Sequence, residues 1–514
     1  MAKTFSVVLV GVECHVIEIE AVVASGFSGI HLLGIGGDVV RDMRERVRSA
    51  LESADFVLPA KRIVVNLTPA TSLRLARTPL EELDFAVAAA VVLAIDEDRN
   101  PSADEIRPQS QRYFLGELSL TGLLRPLSRP SPVESLLARL RPDEMLFLPR
   151  DSGLESARNS RMVSVNSFLE WCSGREGGRF SQVQAEECGD LAQPTTGAFG
   201  TPLERVERVL GFYSRPSLAL VTLLVAAAGR HNLLLAGEPG VGKSFLAQRL
   251  MELQPPLSEP ERAEVTLIQA SDICAEARRL DERPFRSPHH TATSAALIGG
   301  ASLRPGEVTL AHRGLLFLDE LAEFGRGALE ALREPLDSGR VVLSRASGAV
   351  EFPASFQLCA ATNPCPCGFL LSRRRSCRCS PTVVRKYHLK LSGPILDRFA
   401  LQVWLGDEPE AGLFQAALES TLRNEGAAAL ARRFLVVQRD LYFLSDKARE
   451  DALAAFHLPP MDITVSRRGE KHLRQLALTF VRLFPEAGVT PEFWREIAQF
   501  RLLENKLGQA LRYS

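Results

Sequence analysis

No apolar run in this 514-residue chain reaches the roughly 18 residues a membrane-spanning helix needs; the longest, such as 85–95 and 218–228, stop short. No basic-then-apolar leader follows Met1, so a cytoplasmic protein with no membrane partner is expected. An excess of one charge is missing too. With 61 basic and 62 acidic residues the formal net charge is −1, which excludes a globally basic nucleic-acid binder and makes any such site local. Cysteine is sparse: nine in a cytosolic chain do not make a disulfide framework, and five (Cys14, Cys172, Cys188, Cys274, Cys359) stand alone, most of them expected to be small core residues. Internal repeats and low-complexity tracts are absent. What is present is the balance of a globular protein, 46% hydrophobic and 24% charged, in a chain long enough for two or three domains.

Residues 5–172 mix short β-rich runs (6–10, 16–23, 62–67, 112–120, 145–148) with amphipathic helices. The clearest helix is 38–54, where Val39, Val40, Met43, Val47, Ala50 and Leu51 form one stripe. An α/β domain over 1–173 follows. From 174 to 200 the sequence is rich in Gly, Gln, Glu, Ser and Thr without periodicity, and reads as a linker. Buried-strand runs at 232–236, 314–318 and 356–361 alternate with helical patterns, which predicts parallel strands with crossover helices over 201–406. Residues 407–514 read almost entirely as helix.

Gly237-Glu238-Pro239-Gly240-Val241-Gly242-Lys243-Ser244 follows one of these strands and opens an apolar helix, the context that makes such a motif a phosphate-binding P-loop. Its glycines let backbone N–H groups turn toward phosphates, Lys243 supplies a point charge and Ser244 a ligand for Mg²⁺. About 75 residues later the run Leu315-Leu-Phe-Leu318 ends in Asp319-Glu320. An apolar run ending in two acids is common alone, but beside a P-loop Asp319 is expected to hold Mg²⁺ and Glu320 to polarise the attacking water. Asn363 closes the next apolar strand, where it can orient water or simply make a turn. Arg398, after a helix-breaking Gly-Pro, and Arg468, opening a C-terminal helix, are either surface arginines or groups that compensate transition-state charge.

Cys365, Cys367, Cys377 and Cys379 place four thiols within fifteen residues as two Cys-x-Cys pairs. Four thiolates meet the tetrahedral demand of a structural Zn²⁺, though the pairs are tighter than usual; reduced thiols and a redox or iron–sulfur role are the alternatives. Arg373, Arg374, Arg375, Arg378, Arg385, Lys386 and Lys390 lie in or after this knuckle, while no Asp or Glu occurs from 352 to 396. This local positive field either offsets thiolate charge on a solvated face or meets a phosphodiester backbone.

A set of strings together resembles one family closely. They are Arg283-Pro-Phe-Arg-Ser-Pro-His-His-Thr291, Arg304-Pro-Gly-Glu307, Leu310-Ala-His312, Leu318-Asp-Glu-Leu321, Ala360-Ala-Thr-Asn-Pro-Cys-Pro-Cys-Gly368, and Ser392-Gly-Pro394 with Leu396-Asp-Arg398. Gly11-Val-Glu13, Arg44-Glu-Arg-Val-Arg-Ser-Ala50, Arg62-Ile-Val-Val-Asn-Leu-Thr-Pro-Ala70 and Gly116-Glu-Leu118 extend the match more weakly to the N-terminal part. The chain resembles the YifB/ComM group of magnesium-chelatase-like AAA+ ATPases.

The resemblance implies a Lon-protease-like N-terminal domain, an AAA+ core with a zinc knuckle at 365–379, and a C-terminal helical lid. It implies ATP and Mg²⁺, with Zn²⁺ in the knuckle, and a ring, a hexamer, acting on branched or single-stranded DNA. The activity implied is branch migration or helicase work in recombination and natural transformation. Asn363 becomes sensor 1, Arg398 the arginine finger and Arg468 the second sensor. Residues 286–300 become an insertion near the pore in which His289 and His290 support the loop rather than ligate metal. One departure is Ala76-Arg-Thr-Pro-Leu-Glu-Glu-Leu-Asp84-Phe85, which replaces the family's Lys-Glu-Gly-Ser and Phe-Asp-Leu-Pro. A Lon-type protease needs a nucleophilic Ser and a Lys of lowered pKa, and neither stands where expected, with no Ser in 74–85 and no Lys in 129–137. A chelatase-type protein-remodelling motor without a DNA substrate is the alternative function; the chelatase motors lack the knuckle and the fused N-terminal domain.

Overall fold

Strand β1 (Ala2–Val10) is buried on both faces over 6–10, so its polar side chains need partners inside the protein. Thr4 donates to the Ala86 carbonyl at 3.0 Å and Ser6 to that of Phe114 at 2.7 Å. The strand belongs to a computed structural model that describes residues 1–10, 13–35, 38–75, 80–99, 111–127, 136, 140–141, 143–150, 162–177, 200–213, 216–271, 282–300, 304–345, 348–370, 372, 375–406, 412–457 and 466–501. The chain forms two compact units. One comprises Met1–Gln193 with Thr266–Ala277 and Val342–Phe352, the other Pro194–Val265, Arg278–Val341 and Pro353–Ser514.

In the first unit β1 pairs antiparallel with β2 (Glu13–Ala24), which pairs antiparallel with β4 (Arg62–Thr68); β3 (Gly29–Leu33) lies parallel to β4. On its other side β1 is parallel to β5 (Arg112–Phe114), followed by β8 (Met145–Pro149) and β9 (Met162–Val165), completing the order β3-β4-β2-β1-β5-β8-β9. The strand expected over 112–120 breaks after Phe114, because Gly116 turns away to bond with the Glu82 carbonyl and the Phe85 amide. It resumes as β6 (Glu117–Leu118), paired with β7 (Leu124–Arg125). The stripe read over 38–54 is the helix Asp38–Ser53, with Met43, Val47, Ala50 and Leu51 fully buried. Helix Asp84–Arg99 is apolar all round and buried from Asp84 to Ile95, as such a helix must be. The helix Phe168–Gly177 runs into the expected linker, because Phe168, Trp171 and Cys172 give it a buried face; 178–199 lie outside the described residues.

The second unit holds five parallel strands in the order β11-β12-β15-β10-β16. These are β10 (Leu233–Gly237), β11 (Phe285–Arg286), β12 (Leu315–Leu318), β15 (Gln357–Thr362) and β16 (Leu401–Leu405). Strands β13 (Arg340–Arg345) and β14 (Gly348–Pro353), most of whose residues belong to the first unit, make a separate two-stranded sheet. Helix Pro202–Gly211 opens on a capping box in which Thr201 and Glu204 satisfy each other's backbone amides. The apolar run at 218–228 forms helix Leu218–Gly229. It shares one hydrophobic core with β10, β16 and the C-terminal helices Leu413–Asn424, Ala427–Tyr442, Arg467–Leu483 and Pro491–Gln499. Those helices therefore pack as part of the sheet's own core, and the backbone N–H of Gln402 in β16 donates to the Phe500 carbonyl at 2.6 Å.

The first unit carries one costly feature. Asp84 is fully buried, and its carboxylate accepts from Arg46 Nε at 2.5 Å, Arg46 Nη2 at 3.2 Å and the Leu118 amide at 3.4 Å. Burial pushes its carboxyl up to about 7 while Arg46 pulls the other way. Its contribution to stability is therefore full below the ordinary value of 3.8 and lost as pH rises through about 7. Arg46→Leu leaves that charge unpaired and is expected to cost about 3–5 kcal/mol at pH 8, and less at pH 5 where Asp84 is protonated. Calorimetric unfolding at the two pH values checks this; an equal loss at both would assign the effect to packing.

Candidate functional site

Neighbouring parallel strands end on the same edge of a sheet, and here β12, β15 and β10 are adjacent, with Leu318 opposite Ala360 and Thr362 opposite Ala236. The residues that follow them are Asp319-Glu320, Asn363 and the loop 237–244, so one edge collects the loop, the acidic pair and the asparagine. In the loop Gly240 (φ 79°) and Gly242 (φ 96°) are left-handed, which a side chain would strain, and nothing lies within 4 Å of where either Cβ would stand. Helix Lys243–Glu252 begins directly after, so the loop's amides and the helix N-terminus face the same opening.

Lys243 is 8% exposed. Its Nζ donates to the Gly237 carbonyl at 2.8 Å, the Glu238 carbonyl at 2.9 Å and Asn363 Oδ1 at 3.0 Å. Burial lowers its pKa, with Asp319 and Glu320 opposing the shift. Ser244 Oγ donates to Asp319 Oδ2 at 3.0 Å, and the Glu320 amide to Asp319 Oδ1 at 2.9 Å. A hydroxyl and a carboxylate in contact beside a lysine are the donor set of a hydrated Mg²⁺ next to a triphosphate, so the residues present fit that pair. Glu320 itself sits at φ 53°, left-handed for a residue with a Cβ, and its Oε2 lies 3.0 Å from His290 Nδ1. That partner was not legible in the sequence, where the family resemblance implied only loop support for His290.

Arg398 and Arg468 form a separate group. Both bond to Asp337, Arg468 at 2.8 Å, and Arg398 also donates to the Pro394 carbonyl. The Arg398 side chain is 5% exposed and its Nε has no hydrogen-bond partner. Neither guanidinium bonds to Lys243, Asp319, Glu320 or Asn363. Asn232 holds the segment in place, donating to the Arg398 carbonyl at 3.1 Å and accepting from the Leu358 amide at 2.9 Å. No signal in the sequence singled out Asp337.

The four clustered sulfurs lie within 4.8 Å of one another. Cys365, Cys367 and Cys377 are separated by 3.3, 3.7 and 3.6 Å. Sulfurs about 2.3 Å from a shared zinc stand about 3.8 Å apart, so the cluster fits a tetrahedral metal. Burial pushes the Cys365 thiol up to about 12; Cys367, against its own desolvation, is drawn down to about 6 by the Arg378 and Phe369 amides. Arg375, Arg378, Arg385, Lys386 and Lys390 are exposed around it. Only Lys390 pairs with a described carboxylate, Glu323 at 3.4 Å, while Arg375 lies over the Phe369 ring. Arg373 and Arg374 fall outside the described residues.

The knuckle also touches the phosphate loop. Gly368 (φ 82°) packs so closely that a Cβ there would stand 2.5 Å from Cγ of Pro239. Gly368→Ala adds backbone strain of about 1–3 kcal/mol plus that clash, and is expected to raise the Kd for ATP about threefold or more. Titration with a fluorescent ATP analogue reads it, and an unchanged Kd would show that the loop yields freely.

In the N-terminal unit Ser72 Oγ lies 3.1 Å from His15 Nδ1. The only two lysines of 1–193 are both committed to carboxylates, Lys3 to Glu18 and Glu20, and Lys61 to Asp98. Apart from Leu136, residues 129–137 are outside the described set.

Two family profiles match the chain: "Magnesium chelatase, subunit ChlI" over residues 215–412 and "Subunit ChlI of Mg-chelatase" over 19–151. A protein of Mycobacterium tuberculosis described only as uncharacterised is 38% identical over 450 residues, 84% of this chain and 82% of its own. The competence protein ComM of Haemophilus influenzae is 35% identical over 458 residues, 85% and 82% of the two chains. YifB of Escherichia coli is 33% identical over 443 residues, 82% and 80%. No helix among the described residues is long and apolar enough to cross a membrane. With relatives this similar along most of both chains, and with a P-loop and acidic pair on one edge of a parallel sheet, the chain belongs to the YifB/ComM family of magnesium-chelatase-like AAA+ proteins.

Proposed function

We propose that the protein is an ATP-hydrolysing ring motor that acts on DNA, in branch migration or strand separation during recombination and uptake of transforming DNA. The observation that carries the ATPase reading is the Lys243–Asn363 and Ser244–Asp319 pairing at one sheet edge. Lys243 and the loop amides would bind the ATP phosphates, Ser244 and Asp319 would hold Mg²⁺, which supplies charge neutralisation there, and Glu320 would orient and polarise the attacking water. Asn363, already bonded to Lys243, would keep that water and the lysine in register.

Arg398 acts as an arginine finger toward a neighbouring subunit, and Arg468 as a second sensor, only after leaving Asp337. Ring assembly, as a homohexamer, supplies the occasion for that exchange. The domain plan is a Lon-like, non-proteolytic N-terminal domain, a linker, an AAA+ core and a helical lid. Support for DNA comes from the exposed cations around the four cysteines, a surface suited to a phosphodiester backbone, and from similarity to a protein named for competence. The cysteines would hold a structural Zn²⁺ that fixes this basic segment. The motor would work in the cytoplasm.

Purified protein incubated with ATP and a labelled four-way DNA junction should exchange strands, and the junction should stimulate ATP turnover. Lys243→Ala should lower turnover by about a hundredfold or more. An ATPase indifferent to DNA and inactive on the junction would favour a chelatase-type protein-remodelling motor. Metal analysis should find about one zinc per chain, lost in Cys365→Ser/Cys379→Ser; equal metal content in both proteins would remove the zinc assignment.

A further inference from the structure

Beside β16 lies a cavity of about 450 Å³ that none of the residues 237–244, 319–320 or 363 lines. Its walls are β16 itself, the first turns of helices Leu218–Gly229 and Leu413–Asn424, and helix Pro491–Gln499 with Phe500. Hydrogen bonds tie these walls together, so the cavity is built into the fold. The Gln402 N–H donates to the Phe500 carbonyl at 2.6 Å and Gln415 Nε2 to the Pro216 carbonyl at 2.9 Å. The Glu496 carboxylate accepts from the Leu413 and Phe414 amides at 2.6 and 3.1 Å. A Cβ on Gly412 would stand 2.5 Å from Glu496 Oε1, so the glycine is what admits that carboxylate.

One polar atom of a wall residue is left without a partner. Gln402 is 6% exposed, and its Nε2 donates to the Leu396 carbonyl at 3.0 Å, which fixes the orientation of the amide. Its Oε1 is buried and accepts from no group among the described residues. A buried acceptor without a donor is costly, and the amide cannot turn without breaking its bond to Leu396; a donor entering from the cavity would meet it. The rest of the wall is mixed. Leu218, Val221 and Phe414 are apolar, Trp404 is half-buried, and Glu492 and Arg495 are exposed on one helix, with no salt-bridge partner for either among the described residues.

We propose that this cavity is a second nucleotide site, separate from the P-loop, which takes a nucleoside monophosphate with an amino-bearing base. The Trp404 indole offers a face to a flat base, and Gln402 Oε1 accepts from its exocyclic amino group. The Glu492 carboxylate suits ribose hydroxyls and the Arg495 guanidinium a phosphate. The volume lies in the range of small-molecule sites, and apolar walls with a few placed polar groups are their usual make-up. Selectivity rests on Gln402, because a base carrying a carbonyl in place of the amino group would set two acceptors against each other.

The test is calorimetric titration of the full-length protein with AMP, CMP, IMP and UMP. AMP or CMP should bind once per chain, about tenfold or more tighter than its counterpart IMP or UMP, which carries the carbonyl. Arg495→Ala, at an exposed position that leaves the melting temperature unchanged, and Trp404→Ala should each raise that Kd about tenfold or more. Lys243→Ala should leave it as in wild type. No saturable binding of AMP or CMP up to about 10 mM overturns the proposal. So does binding that Arg495→Ala and Trp404→Ala leave untouched, which places the nucleotide elsewhere, and binding lost in Lys243→Ala, which places it at the P-loop. Equal affinity for the amino and carbonyl members of both pairs overturns the assignment of Gln402. The cavity shares no residue with the P-loop edge, so a protein that fails to hydrolyse ATP leaves these outcomes readable.

Discussion

Parallel pairing makes adjacent strands finish at one edge, and this constraint organises the second unit. The order β12-β15-β10 leaves no freedom about where Asp319, Asn363 and the 237–244 loop emerge. Each strand is fully buried, so its register is held by side chains on both faces, and a slip would move the acidic pair away from Ser244. The hydrogen bonds Lys243–Asn363 and Ser244–Asp319 are consequences of that register.

Many of the strings that mark the family serve this frame rather than the chemistry. Arg283 is buried, bonding to Glu261, the Tyr442 hydroxyl and the carbonyls of Pro255, Pro256 and Arg313. Glu307 closes on Arg286, and His312 joins Glu264 to the Ser355 amide. These polar groups are satisfied inside the protein, and each fixes a loop leading into or out of the sheet. The knuckle at 365–379 belongs to both categories: it begins two residues after Asn363, presents exposed cations, and sets Gly368 against Pro239. The four cysteines, Asn363 and the loop 237–244 are therefore neighbours in structure, although Lys243 and Asn363 stand 120 residues apart in sequence.

The N-terminal unit has a different emphasis. A buried ion pair, Arg46 with Asp84, joins the amphipathic helix to the apolar one, and its lysines are spent on surface carboxylates. Lys3 and Lys61, the two lysines among 1–193, are both held by carboxylates.

Periodicity and local chemistry determined much of this in advance. The stripe at 38–54, the apolar runs that became β10, β12 and β15, and the loop 237–244 were all legible, because helix and strand periods and the backbone demands of a phosphate loop are written in consecutive residues. The broken strand at Gly116, the helix reaching Gly177 and the shared core of the C-terminal helices were not, since each depends on a surface supplied from elsewhere in the chain. The same holds within the site. Lys243, Ser244, Asp319 and Glu320 could be named from their spacing, but the turn of His290 onto Glu320, the seat of Gly368 on Pro239 and the joint hold of Asp337 on Arg398 and Arg468 could not. A residue's type and neighbours constrain what it can bond to; only the packing of distant segments decides which partner stands within reach.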